Sequence, residues 1–569
     1  MRTTFCILLF FQCLFVQAQN PLVIPPSLTG TNFNLTVQSG TKTFYGTKPT
    51  PTYGINGVWM SPTIIVKKGD IVTLNVINNL NVKTTMHWHG LHVAAVNDGG
   101  PHQIINPSTT WSPKFKILNN AGTFWYHPHG AGQTDPQVSR GLVGFFIIKD
   151  SIEEKLNLPR TYGVDDIPLV VQSKAFDDLQ QIAIATDMDT ALFVNGTLNP
   201  YFNAPAQVIR FRLLNGSSLR SYNFGFNNGQ TFYQIATDGG LRDSSLALTR
   251  LLLNPGERAE ILVNFTGMAS QVLFLKSFAS ELPIGIYGAD SVGDTNNEIH
   301  EYKDNFLNGA DFNLLKINIV AQTGTPVTTI ANSLVPYIPF KIVSATKHRE
   351  LVFDTLRLLP IDPPNRSEGP FGINNETFDM DKINEVVHLN TTEIWTLKNK
   401  TLVAHPFHIH DIQFSVIEKS GLPPTPSEKG WKDVVLVLPG DSVKFITKFE
   451  TFSDNTTPYM YHCHLLHHED DGMMGSFLVI DTTASTGIAD IDFENSFSIY
   501  PNPTTNLLNI YNPDSKMFTV NIFNTLGEKI YTAPNIQNLQ LNIQNYTSGL
   551  YFVQINFNNY IFTKRFIKQ

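Results

Sequence analysis

Cysteine is almost absent from this chain. Of 569 residues only three are cysteines, and two of them, Cys6 and Cys13, fall in the N-terminal stretch MRTTFCILLFFQCLFVQAQN. There Arg2 precedes an apolar run from Phe5 to Val16 that closes on the small residue Ala18, the pattern of a signal peptide over residues 1–18. The run is short for a membrane span, which needs about 20 apolar residues. An exported product would keep only Cys463, so a disulfide framework within one chain is excluded. Charge is scarce as well. Charged residues make up 15% of the chain, and 40 Lys and Arg against 48 Asp and Glu leave a net charge of −8. No basic face recommends nucleic acid as a partner. Stretches of helical period are few, which argues against a helical bundle.

What is present is β texture. Between residue 21 and about 482, short runs of Val, Ile, Phe, Leu and Thr alternate with Gly, Pro, Asn and Asp, and a prior of about 150 residues per domain gives three or four domains. One pattern recurs: VTLNVINN, VIRFRLLNG and EIWTLKNK each read as a half-buried strand running into an asparagine, at Asn78, Asn215 and Asn399. A second pattern, Gly, an acid, then a strand, occurs in KKGDIVTLNV, NPGERAEILVNF and LPGDSVKFITKF. The reading is one β-sandwich used three times, over residues 21–155, 160–325 and 335–482. Nine and eleven positions beyond each asparagine lie His87 and His89, then Phe224 and Phe226, then His408 and His410. The outer copies carry imidazoles where the middle one carries aromatic rings. The middle copy therefore reads as a spacer, with His300 its one histidine.

In a strand, residues i and i+2 share a face. Four His-x-His pairs, His87/His89, His127/His129, His408/His410 and His462/His464, thus offer eight imidazoles, four from each outer domain. Late first-row metals suit such a donor set, and so many buried imidazoles without partners would be costly. Cys463 lies between His462 and His464 and must face the other way. His405, three positions before His408, can turn with it, and His468 and Met473 follow five and ten residues on. Two histidines, a thiolate and a thioether describe a blue-copper electron-transfer site; the thioether argues against zinc.

HWHG, WYHPHG, HPFHIH and HCHLLHHEDDGMM together resemble the four copper motifs of the multicopper oxidases, over about residues 30–482. The resemblance implies three cupredoxin-like Greek-key sandwiches and four copper ions. It implies a type 1 copper on His405, Cys463, His468 and Met473, and a type 2 copper on His87 and His408. The type 3 pair would take His89, His127 and His464 on one ion and His129, His410 and His462 on the other. Asp98 and Glu469 match positions to which related oxidases assign proton delivery; their plainer roles are a turn and a loop hydrogen bond. His467 competes with His468, and family spacing favours His468. His92 and His102 are either supporting residues or polar filling, while His300, His348 and His388 read as surface or packing residues.

The implied activity is one-electron oxidation of a reductant coupled to reduction of dioxygen to water, with phenols and aromatic amines the expected reductants in the manner of laccases. Cu(I), Fe(II) or Mn(II) oxidation is the alternative, weakened because the third domain before HPFHIH holds only Met380 and because Thr401–Ala404 brings neither acid nor methionine beside His405. A non-enzymatic cupredoxin scaffold serving cell division is a further reading, but such relatives have lost copper ligands and this chain has lost none. Residues 483–495 read as a linker. Residues 496–569 read as a small β-sandwich resembling the sorting domains of type IX secretion in YPNP, NTLGEKIY, SGLYFV and the basic last residues. That resemblance implies export to the surface or medium, or failing that to the periplasm, and a partner in the secretion machinery.

Overall fold

A computed structural model of the chain describes residues 19–481 and 497–569, apart from 185, 187, 291–304, 357–368, 513–516 and 558–559. The expected signal peptide, the expected linker and His300 lie outside the described residues. The chain divides into two compact units at Asp481/Thr482, and the architecture is all-β, with two short helices, Thr134–Ser139 and Leu466–Asp470, among the described residues.

In the first unit, three sandwiches share one strand plan. A parallel pair opens each: Asn32–Lys42 with Ile71–Asn78, Asp166–Phe176 with Val208–Asn215, and Lys347–Thr355 with Thr392–Asn399. The facing sheets hold the histidine strands. In the first sandwich His87–His89 lies at the end of a five-stranded sheet beside Gly122–His127; in the third, His405–Ile409 lies between Tyr459–Cys463 and Val434–Val437. Buried apolar side chains fill each sandwich, around Trp88 and Phe124 in the first, Phe224 and Phe226 in the middle, and Trp395 and Phe407 in the third.

The thrice-repeated asparagine has a physical reason. The side-chain amide of Asn78 donates to the carbonyls of Val82 and Ile105, that of Asn215 to Arg220 and Leu253, and that of Asn399 to Val403 and Val437, at 2.7–3.1 Å. Each Oδ1 in turn accepts an N–H from two residues on, at Leu80, Ser217 and Thr401. One buried amide thus satisfies both the loop after the strand and a carbonyl farther along the chain. The repeated glycines are equally constrained: Gly69, Gly256 and Gly440 have φ of 95°, 85° and 74°, which favour a residue without Cβ. A further repeat emerges only in three dimensions. Tyr126 and Tyr461, each one residue before a site histidine, lie over the cross-strand glycines Gly144 and Gly475, where an added Cβ would come within 2.5 Å of the ring.

Two expectations need correction. Val208–Asn215 is buried along its whole length rather than half-buried, because Arg210 and Arg212 on its second face are held by Glu153, Glu260 and Asp166. The first sandwich does not claim the chain from residue 21: Asn20–Pro21 pairs in parallel with Pro200–Pro205 and extends the middle sandwich.

The second unit packs the strands Ser498–Tyr500, Leu507–Tyr511 and Asn538–Asn542 against a four-stranded sheet formed by Lys529–Ile536, Phe518–Phe523, Gly549–Phe557 and Tyr560–Lys568. Leu508, Val520, Val553 and Phe566 are among its buried core residues.

The asparagine bracket is testable where no metal chemistry intrudes. Asn215→Ala strands two buried carbonyls and an N–H, and the expected cost is about 1–3 kcal/mol in chemical denaturation, with metal content unchanged. An unaltered unfolding midpoint would show that the bracket carries no stability.

Candidate metal centres

Strand alternation sorts the side chains as their spacing requires. Trp88, Phe407, Ile409, Tyr461 and Cys463 enter the sandwich cores, and the eight histidines of the four pairs converge, fully buried, between the first and third sandwiches. Antiparallel pairing puts His127 opposite His87 and His408 opposite His462. His129 Nε2 stands 3.1 Å from both His462 Nε2 and His410 Nε2, and His89 Nδ1 stands 3.2 Å from His464 Nε2. The rings of His127 are centred 5.7 and 5.6 Å from those of His89 and His464. His87 and His408 are 5.9 Å apart by the same measure.

The opposite ring nitrogens are tied down. Nδ1 of His87 donates to the carbonyl of Asp98, that of His408 to Asp433, that of His127 to Pro128 and that of His462 to Cys463, all at 2.8–3.0 Å. His410 Nδ1 donates to Asp98 Oδ2 at 2.7 Å. Each donation leaves a lone pair on Nε2, and Nε2 of His87, His127 and His408 is buried with no partner. The Nε2 lone pairs of His410 and His462 both point at His129 Nε2, and those of His87, His127 and His408 at no donor; a cation among them satisfies the set, as imidazole donors do for copper. The donor set therefore fits the metal it was expected to hold.

Three carboxylates brace this nest, each touching one histidine from each outer sandwich. Asp98, following the turn Ala95–Asn97, reaches His410 and, through Oδ1, lies 3.4 Å from His87 Nδ1. Glu469, in the helix Leu466–Asp470, lies 3.4 Å from His129 Nδ1 and 3.2 Å from His462 Nδ1, and accepts the Thr134 hydroxyl at 2.7 Å. Asp433 accepts His89 Nε2–H at 3.2 Å while its backbone carbonyl holds His408. Burial pushes the Asp98 and Glu469 carboxyls up, but the neighbouring imidazoles outweigh it and leave both well below the usual range. Asp470, which accepts the backbone N–H groups of Thr134 and Asp135, is pushed up to about 8 by burial and by the charge of Glu469.

The second centre gathers His405 Nδ1, His468 Nδ1 and Cys463 Sγ within 3.3–3.8 Å of one another. Met473 is buried beside them, its carbonyl accepting the Cys463 N–H at 3.0 Å. His405 Nε2–H donates to Thr401 Oγ1 at 2.8 Å, since that hydroxyl gives its own proton to Asn399 Oδ1 or the Val403 carbonyl. His468 Nε2–H faces the Tyr287 hydroxyl at 3.3 Å. Both rings are thereby turned with Nδ1 toward the sulfur. Burial pushes the thiol well above its ordinary range; a bound cation is what makes it a thiolate.

Several residues escaped the sequence reading. Asp433 shows no motif, and its Arg258 partner, donating from Nη1 and Nη2 to both Asp433 oxygens, comes from the middle sandwich. Tyr287 comes from the same sandwich. Among the described residues the middle copy supplies no histidine to either centre, yet it is more than a spacer, because it orients ligands at both. Gly256 of the second repeat is also forced by His464, whose ring an added Cβ would approach to 2.8 Å. The structure separates the competing pair: His467 is partly exposed and its Nε2 lies 3.6 Å from Asp471 Oδ2, while His468 faces Cys463. His92 is held by Asp411 at 2.8 Å and His102 by the Met380 carbonyl at 3.0 Å, away from the nest. His348 is exposed and His388 half-buried, both on strands.

With the fold and both donor sets described, comparison with known proteins defines the class. Residues 36–153 and 354–483 match the multicopper oxidase models, and residues 498–569 match the secretion system C-terminal sorting domain. The multicopper oxidase mco of Staphylococcus haemolyticus (strain JCSC1435) is 33% identical over 458 residues, 79% of this chain and 88% of that one. Cell division protein FtsP of Proteus mirabilis (strain HI4320) is 31% identical over 467 residues, 80% of this chain and 91% of that one. The laccase-like multi-copper oxidase CueO of Ochrobactrum sp. superposes with a TM-score of 0.69 at 29% identity, covering 81% of this chain and all of that one. The chain belongs to the multicopper oxidase family, a copper-dependent oxidoreductase family, and carries a C-terminal sorting domain.

The buried imidazoles make the metal-free fold acid-sensitive. His405 is pushed down to about 3 by burial, and His410 to about 3 by burial and then by His87. His89, His127, His129, His408, His464 and His468 are likewise held well below the ordinary value, with burial the first cause. Each is neutral when folded, whereas the unfolded chain binds protons below about pH 6.5. Stability of the metal-free protein should thus be full above about pH 6.5 and fall from there toward about pH 3, by ~1.4 kcal/mol per pH unit for each such histidine. Denaturant midpoints measured across that range check it, and a flat profile would contradict the assignment.

Proposed function

We propose that this chain is a laccase-like oxidase: it takes electrons singly from phenols or aromatic amines at the His405, Cys463, His468 and Met473 set and passes them to dioxygen at the eight-histidine nest. The observation that carries the reading is the divergence of side chains along His462, Cys463 and His464. The end of one strand and the residue after it turn a sulfur toward one donor set and two imidazoles toward the other, so a few covalent bonds join the two centres. Four copper ions fill the sets as the family pattern assigns them: type 1 on the sulfur set, type 2 on His87 and His408, and type 3 on His89, His127, His464 and on His129, His410, His462. Bound there, copper supplies one-electron uptake at the first centre and reduction of dioxygen to water at the second.

The protein's own groups do the remaining work. Thr401 and Tyr287 hold Nε2–H of His405 and His468, so both rings keep Nδ1 on the sulfur side. Asp98 holds a proton on His410 Nδ1, and Glu469 faces those of His129 and His462, so the three Nε2 atoms stay free to ligate. Dioxygen reduction consumes protons. Glu469, joined to Thr134, and Asp470 beside it provide acceptors and a carboxyl able to carry a proton near neutral pH at the nest's edge.

For the reductant, organic substrates are favoured because Thr401, not an acid or methionine, backs His405. Oxidation of Cu(I), Fe(II) or Mn(II) is the alternative, and a non-enzymatic scaffold role in cell division, the process named for FtsP, is disfavoured by the complete ligand set. The sorting domain supports export, and no helix among the described residues is long and apolar enough to cross a membrane.

Cys463→Ser should abolish the intense blue absorption and stop turnover while leaving the histidine nest able to bind copper. Oxygen uptake with a phenol panel beside Cu(I) and Fe(II) tests the substrate class: uptake with the metal ions alone would reject the organic reading. Removing residues 490–569 should leave oxidase activity intact and hold the protein in the periplasm. Loss of activity with copper still bound would contradict that division of labour.

A further inference from the structure

A cleft of about 200 Å³ lies apart from both donor sets, lined by residues of all three sandwiches, among them His92, Asn120, Gly239, Gln413 and Trp431. Its wall is aromatic: Trp431 is half-buried and packs edge-on against Phe340 with ring centroids 5.3 Å apart. Its floor is polar and incompletely satisfied. Gln413 Nε2 donates to the Gly90 carbonyl and to Asp433 Oδ2, both at 3.1 Å. Two acceptors fix which end of the amide is nitrogen, and Gln413 Oε1 is then buried with no donor. His92 Nδ1 faces Asp411 Oδ1 at 2.8 Å, and His92 Nε2 is likewise buried without a partner.

Gly239 keeps this floor open. A Cβ there would stand 1.6 Å from Gln413 Oε1 and 2.6 Å from Trp431 Cβ, so any other residue would displace the amide or the ring. The charged groups at the cleft are paired, Lys448 Nζ lying 2.6 Å from Glu450 Oε2 and Asp411 Oδ1 2.8 Å from His92 Nδ1. A buried acceptor, a second unpartnered ring nitrogen, an aromatic wall and a neutral rim define an occupant: a flat uncharged ring bearing an O–H or N–H donor. Leaving buried polar groups unpaired is costly, and such a ligand recovers that cost.

We propose that this cleft binds a small neutral aromatic alcohol, phenol or amine, its donor on Gln413 Oε1 and its ring against Trp431, at a site distinct from the one that takes up electrons. The link to the nest is short. The same Gln413 amide holds Asp433, and Asp433 holds His89. An occupant therefore touches the group that orients a ligand of the dioxygen side without touching the reductant side.

The test uses the full copper-loaded chain with two probes that surrender electrons poorly, benzyl alcohol and benzyl methyl ether, which differ in the donor. Calorimetric titration should give one site for the alcohol and about tenfold weaker binding of the ether. Trp431→Ala and Gln413→Leu should each weaken the alcohol about tenfold, with unfolding midpoints recorded to verify folding. Equal affinity for the two probes would overturn the proposal even if neither variant folds. So would unchanged binding to a folded Trp431→Ala, or crystals soaked with the alcohol that show water alone in the cleft. None of these readouts needs turnover, so failure here leaves the oxidase reading standing, and failure of that reading leaves the cleft.

Discussion

Everything at the nest depends on one constraint: three buried acidic residues, through carboxylate or backbone oxygen, each face an imidazole of the first sandwich together with one of the third. Asp98 takes His87 and His410, Glu469 takes His129 and His462, and Asp433 takes His89 and His408. A metal between two domains requires their surfaces in register to a fraction of an ångström, and covalent linkage through a whole intervening sandwich cannot supply that. Shared acceptors can: Asp98 and Asp433 each take one ring on the backbone carbonyl and the other on a carboxylate oxygen, and the Glu469 carboxylate lies 3.4 and 3.2 Å from one ring of each sandwich. The same contacts set the tautomers, so positioning and ligand chemistry are one property.

The middle sandwich enters through charge. Arg258 meets both oxygens of Asp433 and donates to the Asp238 carbonyl, while Lys432 bridges Asp238 and Glu257 at 2.9 and 2.8 Å. All of these groups are buried. Removing one member of such a set leaves an uncompensated buried charge, costing several kcal/mol, whereas the intact set contributes little net stability. Its value here is specificity of placement: Asp433 can face His89 only if Arg258 stands behind it. At the other centre Tyr287 performs the neutral version of the same task for His468.

Local spacing explains what was legible in the sequence. Period-two alternation separates Cys463 from His462 and His464, and it puts His405 with the cysteine rather than with His408; each inference needs only neighbouring residues. The repeated Asn78, Asn215 and Asn399 could be aligned for the same reason, although their role as amide brackets could not. Asp433, Arg258 and Tyr287 were illegible because their partners are remote in sequence or arrive from another sandwich, and no period marks them. The buried second face of Val208–Asn215 was hidden likewise: Arg210 and Arg212 read as solvated residues until Glu260 and Asp166 are placed opposite them. Asn20–Pro21 extends a sheet of the middle sandwich by pairing with residues about 180 positions on, which its composition does not announce.

The two centres differ in how their donors are prepared, and the difference follows from their surroundings. At the nest, imidazoles crowd one another, and mutual repulsion adds to burial in keeping them neutral. Lone pairs are then presented toward a common space by carboxylates on the outside, a charge arrangement that attracts multiply charged cations and disfavours an empty interior. Around Cys463 no carboxylate approaches the two imidazoles within ion-pairing distance among the described residues; their partners are the hydroxyls of Thr401 and Tyr287 within an apolar core containing Phe353 and Phe371. A cation bound at this sulfur would be the group that compensates a thiolate there, in a low-dielectric setting. The strand Tyr459–Cys463, with His464 directly after it, thus joins a site organised by charge to a site organised by its absence, and the fold keeps them apart by turning Cys463 to the face opposite its two neighbours.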